Sequence, residues 1–189
     1  MSAGASARLF VALWPDARVR AALADAAAQW VWPPGAVRVR AERLHLTLHF
    51  LGNVERERMP ELGAALALRS PPFVLTLSRP TLWPGGTAVL EPQALSPELA
   101  ELHAALRAAL RRLALPTEAR AFRPHVTLAR RAAGTVAPAD RCTVEWPVAG
   151  HALVESRQPG GYRVVRHYPA SAAAGLERGQ HPAGAAGVE

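Results

Sequence analysis

The chain has no lysine, no isoleucine and a single cysteine, Cys142. One cysteine excludes an intrachain disulfide and any zinc site built on a cysteine cluster. No apolar run approaches the roughly 20 residues that span a bilayer. Asp16, Arg18 and Arg20 interrupt the N-terminal stretch too early for a secretory signal. These absences together lead to the expectation of a cytoplasmic protein with no membrane partner. The glycine pairs at 85–86 and 160–161 lie in neither a phosphate-loop nor a dinucleotide-binding fingerprint, so they read as turns.

What is present is basic. The absence of lysine makes all 22 basic residues arginine, and the formal net charge is +7. That charge favours an anionic partner such as nucleic acid, and the planar guanidinium can donate two hydrogen bonds to one phosphate. The same composition, heavy in Ala, Gly and Pro, also matches GC-rich coding, which inflates arginine whatever the function. Charge alone is therefore modest support for RNA binding. At 189 residues and 50% hydrophobic, the chain can form one domain or two packed lobes with a shared core.

Two short segments repeat one chemical pattern: His45-Leu46-Thr47-Leu48 and His125-Val126-Thr127-Leu128, 80 residues apart. In a strand, side chains at i and i+2 share a face. His45 and Thr47 then point one way and Leu46 and Leu48 the other, and the second copy has the same parity. A lone His on a strand is most often a satisfied core or surface residue. Two matched copies, in a chain with seven His, supply two proton-transfer groups and two hydroxyl donors around a single anion. Cutting a phosphodiester needs one group to take a proton from the attacking water and another to protonate the departing oxygen. An imidazole titrating near pH 6.5 does either job. The residues themselves do not say which His does which.

Around these motifs, Arg43-Leu44-His45-Leu46-Thr47-Leu48-His49-Phe50-Leu51-Gly52 and Phe122-Arg123-Pro124-His125-Val126-Thr127-Leu128-Ala129-Arg130 resemble the two signatures of the RNA 2′,3′-cyclic phosphodiesterases. These are also called the 2′-5′ RNA ligase (LigT-like) family, within the two-histidine phosphoesterase superfamily. Arg8 to Leu13 is similar to that family's first strand, and Gly161 to Pro169 to its closing strand. The resemblance implies an α+β fold: two pseudo-symmetric lobes of mainly antiparallel sheet, helices outside, enclosing a central cleft with one motif from each lobe. It implies His45 as proton donor, His125 as acceptor, a departing 3′ oxygen and a 2′-phosphate product. Some members join RNA ends through 2′-5′ linkages in the reverse direction. Thr47, Thr127 and Arg130 are the substrate-binding candidates. Strict strand parity puts Arg130 opposite His125, so it reaches the cleft only if the strand ends or bulges near Ala129. Its competing reading is a solvated Arg beside Arg131.

Elsewhere, helical spacing predicts helices over Asp16–Trp30, Met59–Leu68 and Pro97–Leu113, the last capped by Ser96. Strands are expected at 9–13, 37–40, 44–51, 73–77, 87–90, 125–129, 151–155 and 162–168. Residues 1–7 form a flexible N-terminus, 8–169 the two-lobed domain, and 170–189 a disordered tail. His49 shares the face of His45 and Thr47, beside the substrate or at a strand end. His103, His151, His167 and His181 have no partner pattern and read as structural or surface residues. Trp32 and Trp83 adjoin Pro-rich loops; they can stack on bases, but covering the core is favoured. No metal or other cofactor is expected, because no His pair lies at i, i+4 on a predicted helix with Glu between, and no acidic cluster accompanies either motif.

Three readings follow. The first is metal-independent hydrolysis of RNA 2′,3′-cyclic phosphate ends by a monomer. The second keeps the site but changes the substrate to a small cyclic nucleotide, a cyclic ADP-ribose phosphate or tRNA halves to be ligated. The third is a non-catalytic module that binds RNA or a nucleotide; a binder has no need of a matched acid and base.

Overall fold

A computed structural model describes residues 5–138, 142–157 and 159–171. In chain order the elements are β1 (Ser6–Leu13), α1 (Ala17–Ala28), β2 (Val37–Arg38), β3 (Leu46–Glu55), α2 (Met59–Ala65), β4 (Phe73–Trp83), β5 (Thr87–Pro92), α3 (Pro97–Arg112), β6 (Val126–Arg130), β7 (Val144–Val148), β8 (Gly150–Arg157) and β9 (Gly161–Pro169). Every pairing between these strands is antiparallel.

The helices start where side-chain chemistry dictates. Asp16 accepts from the backbone N–H of Val19 at 2.8 Å and opens α1, while Ser96 accepts from that of Leu99 at 3.3 Å and opens α3 with Pro97 in its first turn. The stripe Leu99, Leu102, Leu106 and Leu110 is buried, so α3 presents one apolar face to the sheet. No helix of the described residues is long and apolar enough to cross a membrane.

The strand order is β7-β4-β5-β6-β3-β1-β8-β9, with β2 attached to β6. It reads alike from both ends. Each half has four strands, the motif-bearing strand innermost, and beside it the strand that leads into a helix: β1–α1–β3 in one lobe, β5–α3–β6 in the other. The lobes meet at β3 and β6 through a single registered pair, Leu46 with Val126. One face of the sheet packs with the helices into a common core. The other carries a smaller cluster of Phe10, Ala12, Ala152 and Val154.

Three sequence expectations change. The first strand begins at Ser6, inside the segment read as flexible, because Ser6 and Ala7 pair with Glu55 and Val54. Residues 1–4 and the tail from 172 lie outside the described residues. β7 was not anticipated. It buries Val144, Trp146 and Val148 on alternate positions, and Pro147 is tolerated because β7 is an edge strand. β4 runs on to Trp83 through a register shift after Leu77, beyond the five-residue stretch 73–77 that marked its start.

Candidate active site

The two motifs share one local geometry. Along Arg43–Phe50 and Arg123–Arg130 the burial runs identically: exposed, buried, half-buried, buried, half-buried, buried, buried, exposed. His45 and Thr47, like His125 and Thr127, are the half-buried positions. Both His stand one residue before their strand begins, since β3 starts at Leu46 and β6 at Val126. Beyond the single pair Leu46–Val126 the lobes no longer share a ladder, and the two rings emerge where the strands part.

Each ring is tied the same way. His45 Nδ1 donates to the Arg43 carbonyl at 2.7 Å, and His125 Nδ1 donates to the Arg123 carbonyl at 2.8 Å. A carbonyl only accepts, so Nδ1 carries the proton and Nε2 is the nitrogen left to exchange one. Burial, the largest influence, holds both imidazoles below their ordinary 6.5. At His45 the neighbouring His125 and Arg130 push the same way, against the pull of the Arg43 carbonyl. At His125 the Arg123 carbonyl and Glu91 oppose the burial, while Arg120 and Arg123 add to it. Aromatic rings surround His45, with Phe10 at 4.9 Å, Trp14 at 5.7 Å and Tyr162 at 5.2 Å between centroids.

The repeated double-buried position is a bulge. In β3 the register with β1 skips Leu48, between the pairs Val11–His49 and Ala12–Thr47. In β6 the register with β5 skips Leu128, between Ala88–Ala129 and Val89–Thr127. An extra residue inverts the parity of everything after it. Arg130 is thereby on the same side as His125, against strict alternation. His49 goes the other way, and the expectation that it shares a face with His45 is corrected. It is 2% exposed, donates from Nε2 to the His103 carbonyl at 2.9 Å, and stacks on the His103 ring at 4.1 Å. Phe50 takes its place on the open side.

His45, Thr47, His125, Thr127 and Arg130 line one cavity of about 770 Å³. Arg8, Arg38, Arg40, Arg43 and Arg120 join Arg130 in its walls against one carboxylate, Glu118, while Phe50 and Tyr162 add aromatic surface. A smaller recess of about 290 Å³ adjoins it at Thr47 and His125, bounded by Trp83, Arg107 and Phe122 among others. Trp83 therefore does not simply cover the core. Its ring lies 4.3 Å from that of His125, with the Arg123 guanidinium 4.4 Å over it. Trp32, by contrast, stacks on Trp30 at 5.3 Å and donates to the Ala27 carbonyl at 3.1 Å, away from the cavity. Most of the arginines, Phe50 and Tyr162 had no sequence signal beyond their nearness to the motifs or to the closing strand. Among the described residues no group of three or more His, Cys, Asp or Glu is placed to hold a metal ion.

The chain is similar to known proteins over most of its length. The model of the 2′-5′ RNA ligase superfamily matches residues 15–156. The chain belongs to that superfamily. It is 35% identical over 194 residues to an RNA 2′,3′-cyclic phosphodiesterase of Thermus thermophilus, covering 93% of this chain and 96% of the relative. An Escherichia coli protein of the same name is 34% identical over 131 residues, covering 68% of this chain and 74% of that one. Among solved structures, E. coli LigT complexed with 3′-AMP superposes with a TM-score of 0.77 at 28% identity, covering 88% of this chain and 99% of the other. TT0787 of T. thermophilus gives 0.70 at 34% identity, covering 92% and 100%. The α+β architecture of two sheet lobes is that of these superfamily structures.

Proposed function

We propose that this chain is an RNA 2′,3′-cyclic phosphodiesterase, converting cyclic phosphate ends to 2′-phosphate ends with a pair of histidines and no metal. The observation that carries the proposal is the matched pair of imidazoles. Both are tied at Nδ1 to a backbone carbonyl and both line one arginine-walled cavity with two threonines. The likeness to curated phosphodiesterases over most of the chain supports the same activity.

In the reaction, water attacks phosphorus while His125 Nε2 takes its proton. The bond from phosphorus to O3′ breaks, and His45 Nε2 gives its proton to that oxygen. The product carries a 2′-phosphomonoester and a 3′-hydroxyl. The division of roles follows the superfamily resemblance. Thr47 and Thr127 hydroxyls and the Arg130 guanidinium donate to the non-bridging oxygens, where charge gathers as the bond breaks. Ring strain in the five-membered cyclic phosphate lowers the barrier that remains. With a 5′-hydroxyl of a second RNA in place of water, the same steps make a 2′-5′ bond.

The pH dependence of kcat/KM on an RNA ending in a 2′,3′-cyclic phosphate tests this. His125 must be neutral to accept, so the rate falls as pH drops through its titration. His45 must be charged to donate, so the rate falls as pH rises through its own. Both imidazoles sit below 6.5 in the free protein, so the bell for kcat/KM is centred below pH 6.5. A bound phosphodiester anion favours both charged forms, which moves the kcat bell upward. A profile flat through this range, or no turnover at any pH, rules the proposal out.

A further inference from the structure

The two motifs are alike in residues, burial and carbonyl tether, yet a proton has to move in one direction between them. What differs lies behind the rings. Glu91, on β5, is 1% exposed. Its carboxylate accepts from Arg123 at 2.5 Å through Nε and at 3.3 Å through Nη2, and pairs with Arg79 at 3.3 Å. Arg123 is the residue whose carbonyl receives the His125 Nδ1 proton. One side chain thus fixes both the charge behind His125 and the peptide that orients it. Behind His45 the tether residue is Arg43, whose guanidinium lies 5.9 Å over the Tyr162 ring. The rings of Phe10, Trp14 and Tyr162 pack around His45, and the charged neighbours acting on it are His125 and Arg130, with no carboxylate among them.

We propose that Glu91 is the positioning residue that makes the two motifs unequal, holding His125 ready as the proton acceptor while His45, without a carboxylate behind it, is the donor. This rests on the phosphodiesterase reading given above. An acceptor becomes an imidazolium in the transition state, and a buried carboxylate linked to it stabilises that charge. Unlike the aspartate of a serine-protease triad, which accepts from the ring directly, Glu91 acts through Arg123, whose carbonyl takes the Nδ1 proton. A donor works best when its imidazolium is unwelcome, and Arg130 shares the cavity with His45. Burial alone would push the Glu91 carboxyl up. Hydrogen bonds from Arg123 and Thr81 and the charges of Arg123 and Arg79 outweigh it and hold the group below the usual carboxylate range, so it is ionised. The charged groups acting on His125 are Glu91, which favours its imidazolium, and Arg120, Arg123 and His45, which oppose it.

The test is a titration of the His125 and His45 ring signals by NMR in the free protein, with kinetics alongside. Glu91→Gln leaves Arg123 and Arg79 unneutralised, so the His125 midpoint falls by roughly one pH unit and the His45 midpoint stays in place. Arg123→Gln removes an opposing charge, so the His125 midpoint rises. In turnover, Glu91→Gln loses up to about tenfold of kcat at the wild-type optimum with little change in KM, and Glu91→Asp recovers most of the loss. A folded Glu91→Gln protein with an unmoved His125 midpoint overturns the proposal. So do Glu91→Gln and Arg123→Gln shifts of the same sign, as a purely structural lesion would give. The midpoints are read without substrate, so opposite shifts in a protein that hydrolyses no cyclic phosphate would sink the phosphodiesterase reading alone.

Discussion

Replacing either His45 or His125 with alanine lowers kcat by about 10²–10⁴-fold, the scale of a lost acid or base in proton transfer. Affinity for the cyclic phosphate changes far less, because Thr47, Thr127, Arg130 and the other cavity arginines remain. The two losses are not additive: once one proton transfer is gone, removing the second costs little more. Single-turnover rates and product-inhibition constants for both single variants and the double variant measure this. A His45→Ala protein with near-normal turnover shows that the repeated motif is structural. Equal losses in kcat and binding show that the imidazoles anchor the phosphate and do not move protons.

The second large effect is electrostatic. Six arginines and one glutamate line the cavity, so a single-stranded RNA that contacts about four of them through phosphates releases about as many counterions. The logarithmic slope of affinity against salt for single strands is about −0.7 per phosphate, so a fourfold rise in salt weakens oligonucleotide binding by roughly 50-fold. A 2′,3′-cyclic mononucleotide, held mainly at the His and Thr side chains, has a much shallower slope. Arg40→Gln and Arg43→Gln flatten the oligonucleotide slope and leave the mononucleotide slope alone. Equal slopes for the two ligands, with no preference for the longer one, move the assignment to a phosphodiesterase of small cyclic nucleotides.

The core of the site is legible in the sequence because it is local. His-x-Thr on an apolar strand fixes parity within three residues, and the two copies announce each other. The α3 helix is legible for the same reason, since Ser96, Pro97 and the leucine stripe act within one segment. The bulges are not legible. Leu48 and Leu128 look like ordinary alternating strand residues, and only the registers of β1 on β3 and β5 on β6 leave them unpaired. His49 and Phe50 therefore exchange the faces that simple alternation gives them. Arg130 depends on the same effect: the sequence shows that a bulge is needed, while the partner strand decides whether there is one.

Long-range charge is equally hidden. Arg123 is next to the second motif and reads as a phosphate contact, but its guanidinium is held by Glu91, 32 positions earlier and on another strand. Arg8 and Arg120 sit far from the first motif in sequence yet line the same cavity. The excess of arginine, ambiguous as composition, gains meaning only when the fold gathers six of them around the two histidines.

The most direct measurement is to incubate the purified protein, in EDTA, with an RNA ending in a 2′,3′-cyclic phosphate and identify the terminal phosphate formed. The account predicts undiminished conversion to a 2′-phosphate with a free 3′-hydroxyl. Activity lost on chelation and restored by a divalent ion, or a 3′-phosphate product, would contradict it.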